Sequence, residues 1–259
     1  MGKEREMEFS GKIAIVTGAS SGIGRATAIK LAHQGSSVAL VGRNERALRQ
    51  TVIECDSERV LAITADITKD EDLHRIISET IERFGGIDIL INSAGVISTG
   101  TIETTTEAQW NEMMTINVTS VFKLMQLATP ALIKHRGNVV NVSSVTGLRA
   151  FPGVLAYCVS KAAVDQLTRC SALELAAQGI RVNAVNPGVV VTNIHRRGGM
   201  DEVTYSKFLD HCKTTHPIGR VGQTEEVADL ILFLASDKAG WITGATYSID
   251  GGRALTCAR

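Results

Sequence analysis

The sequence, 259 residues long, predicts a single α/β domain built on a doubly wound parallel sheet. Three observations carry that expectation. Short, largely β-branched runs recur along the chain, a helical pattern follows most of them, and glycine or small polar residues gather where the runs end. No linker, repeat or low-complexity stretch divides the chain, so residues 1–259 read as one domain. Lys plus Arg and Asp plus Glu balance at 27 each, which gives no charge excess to draw a nucleic acid.

The first strand is expected at 13–17, an apolar run of the kind buried on both faces of a parallel sheet. It leads into Gly18, Ala19, Ser20, Ser21, Gly22, Ile23 and Gly24, then into a helical pattern over 25–34 that ends at Gly35. Strand, glycine turn and helix make a mononucleotide-binding arrangement, because glycines admit a pyrophosphate to the backbone and free helix N–H groups face it. The spacing departs from GxGxxG, with three residues between Gly18 and Gly22. A second strand, 38–41, ends where the adenosine ribose is expected to be read, and Gly42 and Arg43 stand there instead of the Asp or Glu that suits NAD. A guanidinium grips a phosphate through two parallel hydrogen bonds, so NADP (NADPH) is the expected cofactor and NAD the less favoured one. The competing reading is an Arg43 that is merely solvated.

Further strands are expected at 60–64, ending at Asp66; at 87–91, delivered to Asn92, Ser93, Ala94 and Gly95; and at 138–142, ending at Ser143 and Ser144. Two more are expected at 181–185, reaching Asn186, Pro187 and Gly188, and at 246–249. Helical patterns cover 71–84, 107–114, 118–135 and 225–234, and a long one begins near Tyr157. The polar excursion 192–220 is expected to fold into one or two short helices and act as a substrate lid. Its histidines, His195, His211 and His216, are expected at the surface.

Tyr157 and Lys161 are four apart on a helix and share a face. An ammonium beside a phenol favours the phenolate and lowers its pKa from about 10, which makes tyrosine a usable acid and base. The bland alternative is a core aromatic beside a solvated lysine. The cysteines, at positions 55, 158, 170, 212 and 257, are scattered, without CxxC or histidine companions, and read as reduced thiols with no metal site. Cys158 is expected to be packed rather than reactive. The first twelve residues lack the apolar run of a signal peptide or membrane span, and Cys257, Ala258 and Arg259 form no peroxisomal address or lipidation box. The expected location is cytoplasmic, with no membrane partner.

Thr17 through Gly24, Asn92 through Gly95, Asn117, Ser144, Tyr157 with Lys161, and Pro187-Gly188 with Thr192 follow one another in order, and together they resemble the short-chain dehydrogenase/reductase family. The resemblance runs from Gly11 to Gly252; one departure is Ser93, where the family more often has a second Asn. It implies a Rossmann fold, with Tyr157 as general acid/base, Lys161 lowering its pKa and binding the nicotinamide ribose, and Ser144 polarising the substrate oxygen. Asn117 would kink its helix and hold a water that relays protons to Lys161. Gly18, Ser20, Ser21, Ile23 and Gly24 would line the pyrophosphate turn, Arg43 and Asn44 the 2′-phosphate, and Asp66 and Ile67 the adenine. Asn92, Ala94 and Gly95 would approach the adenosine ribose side, and Pro187, Gly188, Val190 and Thr192 would flank the nicotinamide. Ser144, Thr146, Phe151 and Tyr157 would meet the substrate, with 96–101, Leu148 and the lid around them. Arg149, Arg196 and Arg197 would serve as anion contacts if they faced inward.

The implied activity is NADP(H)-dependent hydride transfer between a small-molecule ketone or aldehyde and the corresponding alcohol. The substrate class stays open between a 3-oxoacyl thioester and a steroid, sugar or xenobiotic carbonyl. A catalytically silent dinucleotide-binding regulator is the alternative; it predicts erosion at Ser144, Tyr157 or Lys161, and all are present. The resemblance also implies a homotetramer, with the helices around 117–135 and 156–177 packing across a twofold.

Overall fold

The computed structural model describes residues 7–256; residues 1–6 and the terminal Cys257, Ala258 and Arg259, read above for targeting signals, lie outside the described residues. The strands are β1 (Ile13–Thr17), β2 (Ser37–Gly42), β3 (Val60–Thr64), β4 (Ile89–Asn92), β5 (Asn138–Val142), β6 (Arg181–Pro187) and β7 (Thr246–Ile249). All pair in parallel, in the order β3-β2-β1-β4-β5-β6-β7, so the winding reverses between β1 and β4.

Alternate strand residues feed two separate cores, which is why the strand sequences are apolar throughout rather than alternating. Ala14, Val16, Val38 and Leu40 point to one face and pack with Ala28 and Leu31 of α1 (Gly22–His33), Leu48 of α2 (Glu45–Cys55) and Ile231 of α10 (Thr224–Ala235). Ile15, Ala39, Val41 and Leu90 point to the other, against Leu73 and Ile76 of α3 (Asp70–Phe84), Leu124 and Ala128 of α5 (Ser120–His135), and Ala172 of α7 (Leu155–Leu175). Each Val, Leu or Ile among them contributes about 1.5–3 kcal/mol by leaving water, and each Ala under about 1 kcal/mol.

Several bounds differ from expectation for identifiable reasons. The helix expected from 25 starts at Gly22, and Gly35, at φ +95°, ends the turn that follows it. β4 starts two residues later than expected, and just before it the Asp88 carboxylate accepts the Ile13 N–H at 2.9 Å. α2 was not expected at all; Asn44 caps it by accepting the Ala47 N–H at 2.9 Å. The patterns at 107–114 and 118–135 are one continuous run, α4 (Glu107–Met114) passing through a π turn (Thr115–Thr119) into α5. That run is long and apolar enough to cross a membrane, but half of the qualifying window is buried against the rest of the fold. The excursion forms α8 (Ile194–Arg197) and α9 (Glu202–Thr215), the second longer than the short helix expected. A one-turn α6 (Val145–Leu148) precedes α7.

Candidate active site

The turn after β1 is shaped by what it lacks. A methyl at Gly18 would lie 3.0 Å from the Ala94 main chain, and one at Gly24 would lie 2.6 Å from the Gly18 carbonyl oxygen. Only glycine lets β1, the β4 exit and the first turn of α1 close this tightly. Thr17 ties the two strand exits together, its Oγ1 accepting from Ser93 N–H at 3.0 Å and Ala94 N–H at 3.1 Å. Ser21 precedes α1 without making a side-chain cap, and the first turn carries no acid, so the helix N-terminus keeps its donors and its positive end for an anion. Ser20 lies against Gly42, where a methyl would sit 3.2 Å from its Oγ, and this brings the turn beside exposed Arg43. A backbone cradle, uncapped helix donors and an adjacent guanidinium fit a phosphorylated dinucleotide.

Other expected cofactor positions are placed differently from one another. Ala94 and Gly95 follow β4 directly above that turn. Asn92 turns its side chain into the sheet, donating to Asn141 Oδ1 at 2.8 Å, so its amide is not presented at the ribose side. Asn44 uses its side-chain oxygen on α2, as described. Asp66 accepts from the Thr68 N–H and hydroxyl, and Ile67 packs beside α3's core face. Pro187, Gly188, Val190 and Thr192 lie on the loop leaving β6, and a methyl on Gly22 would lie 3.2 Å from Thr192 Cγ2, so this loop closes on the glycine turn.

Ser144, Tyr157, Lys161 and Asn117 come together at the carboxyl edge of the sheet. Tyr157 and Lys161 lie on one face of α7, and Ser144, just past the end of β5, places its hydroxyl near enough to the phenol to lower its pKa. All three are less than a tenth exposed. Burial pushes the Tyr157 phenol up to about 12, while the Ser144 hydroxyl pulls it down. Burial likewise pushes the Lys161 ammonium down to about 8, with the Asp165 carboxylate opposing. The expected lowering of the tyrosine by the lysine is therefore corrected: the ammonium sits 5.7 Å from the ring centroid, donates to the Val142 carbonyl at 2.8 Å, and loses to desolvation.

Asn117 lies within the π turn, so the expected kink is a local widening of a continuous helix. Its amide braces the β4 exit, accepting from Val96 N–H and donating to Val96 O, both at 2.9 Å, and reaching Ser160 Oγ at 3.0 Å. A methyl on Gly95 would lie 3.2 Å from Asn117 Oδ1 and 3.5 Å from Lys161 Nζ, so the glycine lets the strand exit cross both.

On the substrate side, Thr146 holds a buried hydroxyl oxygen without a partner among the described residues, adjoining Ser144, whose Oγ accepts the Thr146 N–H at 3.2 Å. Val96, Ile97, Trp110 and Val154 pack around Tyr157 and give the site an apolar wall. Leu148 is exposed. Phe151 is flanked by the guanidiniums of Arg149 and Arg253. The anion-contact expectation for Arg149 is corrected, since it donates to the carbonyls of Arg253, Ala254 and Thr256. Arg196 is also engaged, with two bonds to Glu202 at 2.7 Å and its guanidinium over Tyr205 at 3.9 Å; Arg197 is exposed. The excursion reaches the site at Gly198, where a methyl would lie 2.9 Å from Ile97 O. His211 is exposed as expected, His195 is half-buried, and His216 is buried, a correction that follows from its packing behind the β6 loop. Cys158 is half-buried, its thiol 3.8 Å from Phe151 O.

Sequence reasoning missed the layer beneath these residues. Asn186 donates to Ser144 O at 2.9 Å and to both Asp165 oxygens, and Asp165 is 1% exposed. A signal existed: Tyr157, Lys161 and Asp165 repeat every four residues, a polar stripe on a face that is otherwise core.

Comparison with known proteins gives a consistent neighbourhood. A family model described as enoyl-(acyl carrier protein) reductase matches residues 18–254. A 3-oxoacyl-(acyl-carrier-protein) reductase FabG of Thermotoga maritima is 36% identical over 249 residues, 95% of this chain and 99% of that protein. An uncharacterized oxidoreductase of the same organism is 40% identical, over 95% of this chain and 98% of its own length. Among solved structures, a short-chain dehydrogenase/reductase of Caenorhabditis elegans, determined with cofactor, superposes with a TM-score of 0.91 at 37% identity, covering 96% of this chain and 97% of its own. The ligand-free aldohexose dehydrogenase of Thermoplasma acidophilum superposes at 0.87 with 31% identity, covering 98% of each chain.

Proposed function

Because the chain belongs to the short-chain dehydrogenase/reductase family and is an oxidoreductase, we propose that it uses NADP(H) to interconvert a ketone or aldehyde with an alcohol. The observation that carries this reading is that the Tyr157 phenol is buried near the Ser144 hydroxyl, with the Lys161 ammonium 5.7 Å from its ring centroid. Bound NADPH would supply the hydride. Gly18, Ser20, Ser21, Ile23 and Gly24 would hold its pyrophosphate, Arg43 its 2′-phosphate, and the 187–192 loop its nicotinamide end. Ser144 donates to the substrate oxygen as charge grows there, and Tyr157 gives that oxygen its proton. Burial keeps the phenol protonated at neutral pH, the form from which tyrosine acts as the acid in reduction. Lys161 stays cationic below about 8 and offers a charge to the ribose hydroxyls and to the tyrosinate left behind.

The substrate class favoured by the named relatives is a 3-oxoacyl thioester; the aldohexose dehydrogenase likeness keeps a sugar carbonyl in the test panel. Thr146, with its unpartnered hydroxyl, and the apolar wall of Val96 and Ile97 suit a substrate with one polar group near its carbonyl and an apolar body. A cytoplasmic homotetramer completes the proposal. The test is Tyr157→Phe, read by NADPH oxidation against 3-oxoacyl thioesters, ketosteroids and sugars. Turnover is expected to fall at least a thousandfold with NADPH affinity unchanged within about twofold. Turnover surviving in that variant removes Tyr157 as the acid.

A further inference from the structure

The loop from β6 to α8, which the proposed function gives to the nicotinamide end of the cofactor, is fastened by main-chain bonds on one side and by α9 on the other. Gly188 N–H donates to Ile249 O at 3.1 Å, Val191 N–H donates to Gly222 O at 3.1 Å, and Gly222 N–H returns to Val189 O at 2.9 Å. From α9, the Tyr205 hydroxyl donates to Thr192 O at 3.0 Å, and about three turns on, His216 Nε2 accepts the Val189 N–H at 3.1 Å. Both rings are nearly inaccessible, at 1% and 2% exposed. The helix thus grips the loop near both ends.

The tautomer of His216 follows from its partners. A backbone N–H only donates, so Nε2 must be bare; the ring proton is on Nδ1, from which it reaches the Cys212 carbonyl at 2.7 Å. Gly188 makes room for this ring, since a methyl there would lie 2.8 Å from Nε2 and 2.9 Å from Asp250 Cα. The loop residues 187–193 and the segment 217–219 carry no titratable side chain. From the β7 exit, Asp250 favours an imidazolium and Arg253 opposes it; Cys212 and Thr215 face the ring from α9.

We propose that His216 is a positioning residue, whose neutral imidazole straps the end of α9 to Val189 N–H and so holds the 187–192 loop in its cofactor-binding shape. A proton on Nε2 would set a donor against a donor and release the strap. Burial pushes the His216 pKa below the ordinary 6.5, so the accepting form prevails at neutral pH. With the folded pKa lowered, the contribution is whole above 6.5 and is lost as pH falls through the folded value.

The test is a fluorescence titration of the intact protein with NADPH between pH 5 and 8, on the unmodified chain, His216→Gln and His216→Leu. Glutamine can place its side-chain oxygen near the Nε2 position and keep the acceptor without titrating; leucine removes it. Expected are an acid-side loss of affinity in the unmodified protein, a shallower one in His216→Gln, and about tenfold weaker binding by His216→Leu across the range, with His216→Gln near unmodified affinity at pH 7.5. The titration of the 2′-phosphate is common to all three and cancels in the comparison. If His216→Leu does not fold, the comparison of the unmodified protein with His216→Gln still decides. Identical pH dependence in those two, or binding by a folded His216→Leu within twofold of the unmodified protein, overturns the strap alone. Absence of any NADPH or NADH binding by the unmodified protein overturns the reading of the cofactor site, and the strap with it.

Discussion

Arg43 stands exposed at the end of β2, beside the glycine turn through the contact of Ser20 with Gly42, and close enough to Asp66 to help hold that carboxyl below its ordinary pKa. A guanidinium there has little packing role, so its removal isolates the charge. Arg43→Ala is expected to weaken NADPH about ten- to hundredfold while changing NADH little, the scale of one charge-assisted, two-bond contact. Equal losses for both dinucleotides, or none, would show that the 2′-phosphate is read elsewhere. At this scale the sequence was informative wherever position along an element decides the matter. Tyr157 and Lys161 share a face because they are four apart, and Ser144 reaches them because β5 ends there. The direction of the tyrosine's pKa was not legible, because it depends on how deeply three separate elements bury it. His216 was misread as a surface residue for a related reason: the chain around it is polar, and only the closure of α9 behind the β6 loop covers it.

α10 shows how an element's end is fixed by residues before it. Gln223 donates its N–H to Glu226 Oε2 at 2.8 Å, and Arg220 grips both oxygens of the same carboxylate, at 2.6 and 2.8 Å. The Arg220 hydrogen bond first, and the Gln223 N–H second, hold the Glu226 pKa down at about 2 against an ordinary 4.5. A lowered acid stabilises the fold above its unfolded value and ceases to as pH falls, so the contribution is whole above 4.5 and gone near 2. Both side chains are 41–50% exposed, and solvent screening limits the effect to about 0.5 kcal/mol. Glu226→Gln is expected to lose that amount at pH 7 by urea denaturation, with the gap closing between pH 4.5 and 2; a pH-independent gap would mean packing, not charge. Capping also explains the overlooked α2. Asn44 Oδ1 accepts the Ala47 N–H and the helix begins there, which leaves the side-chain NH2 as the donor for the proposed 2′-phosphate contact. The π turn at 115–119 falls where the sequence shows a gap between two helical patterns and where Asn117 is expected to kink the helix; what the sequence hid is that the run stays continuous through it.

For the whole molecule, alternation of strands with helices was legible because each repeats at its own period, and the two-core packing follows from strands apolar on both faces. Strand order was not read from the sequence, since which strands become neighbours is settled by how the crossovers pack. The outer faces of α5 and α7 raise a separate question of scale. Phe122 and Ile133 on α5 are 47% and 40% exposed, and Val159 and Leu173 on α7 are 40% and 83% exposed. Single exposed apolar residues are ordinary, and these four are the ones the proposed homotetramer would cover. The proposed homotetramer, with these helices crossing a twofold, covers them twice by symmetry, because an isologous contact uses the same patch on both subunits. Sedimentation equilibrium is expected to give four chain masses for the unmodified protein. Phe122→Glu, which places an unpaired carboxylate in that contact, is expected to give a smaller species, because burying such a charge costs several kcal/mol. Phe122 is half exposed within the chain, so the same change leaves the folded subunit intact, with its far-ultraviolet circular dichroism unchanged. A monomeric unmodified protein, or a Phe122→Glu variant that still sediments as a tetramer, would show that these helices face water.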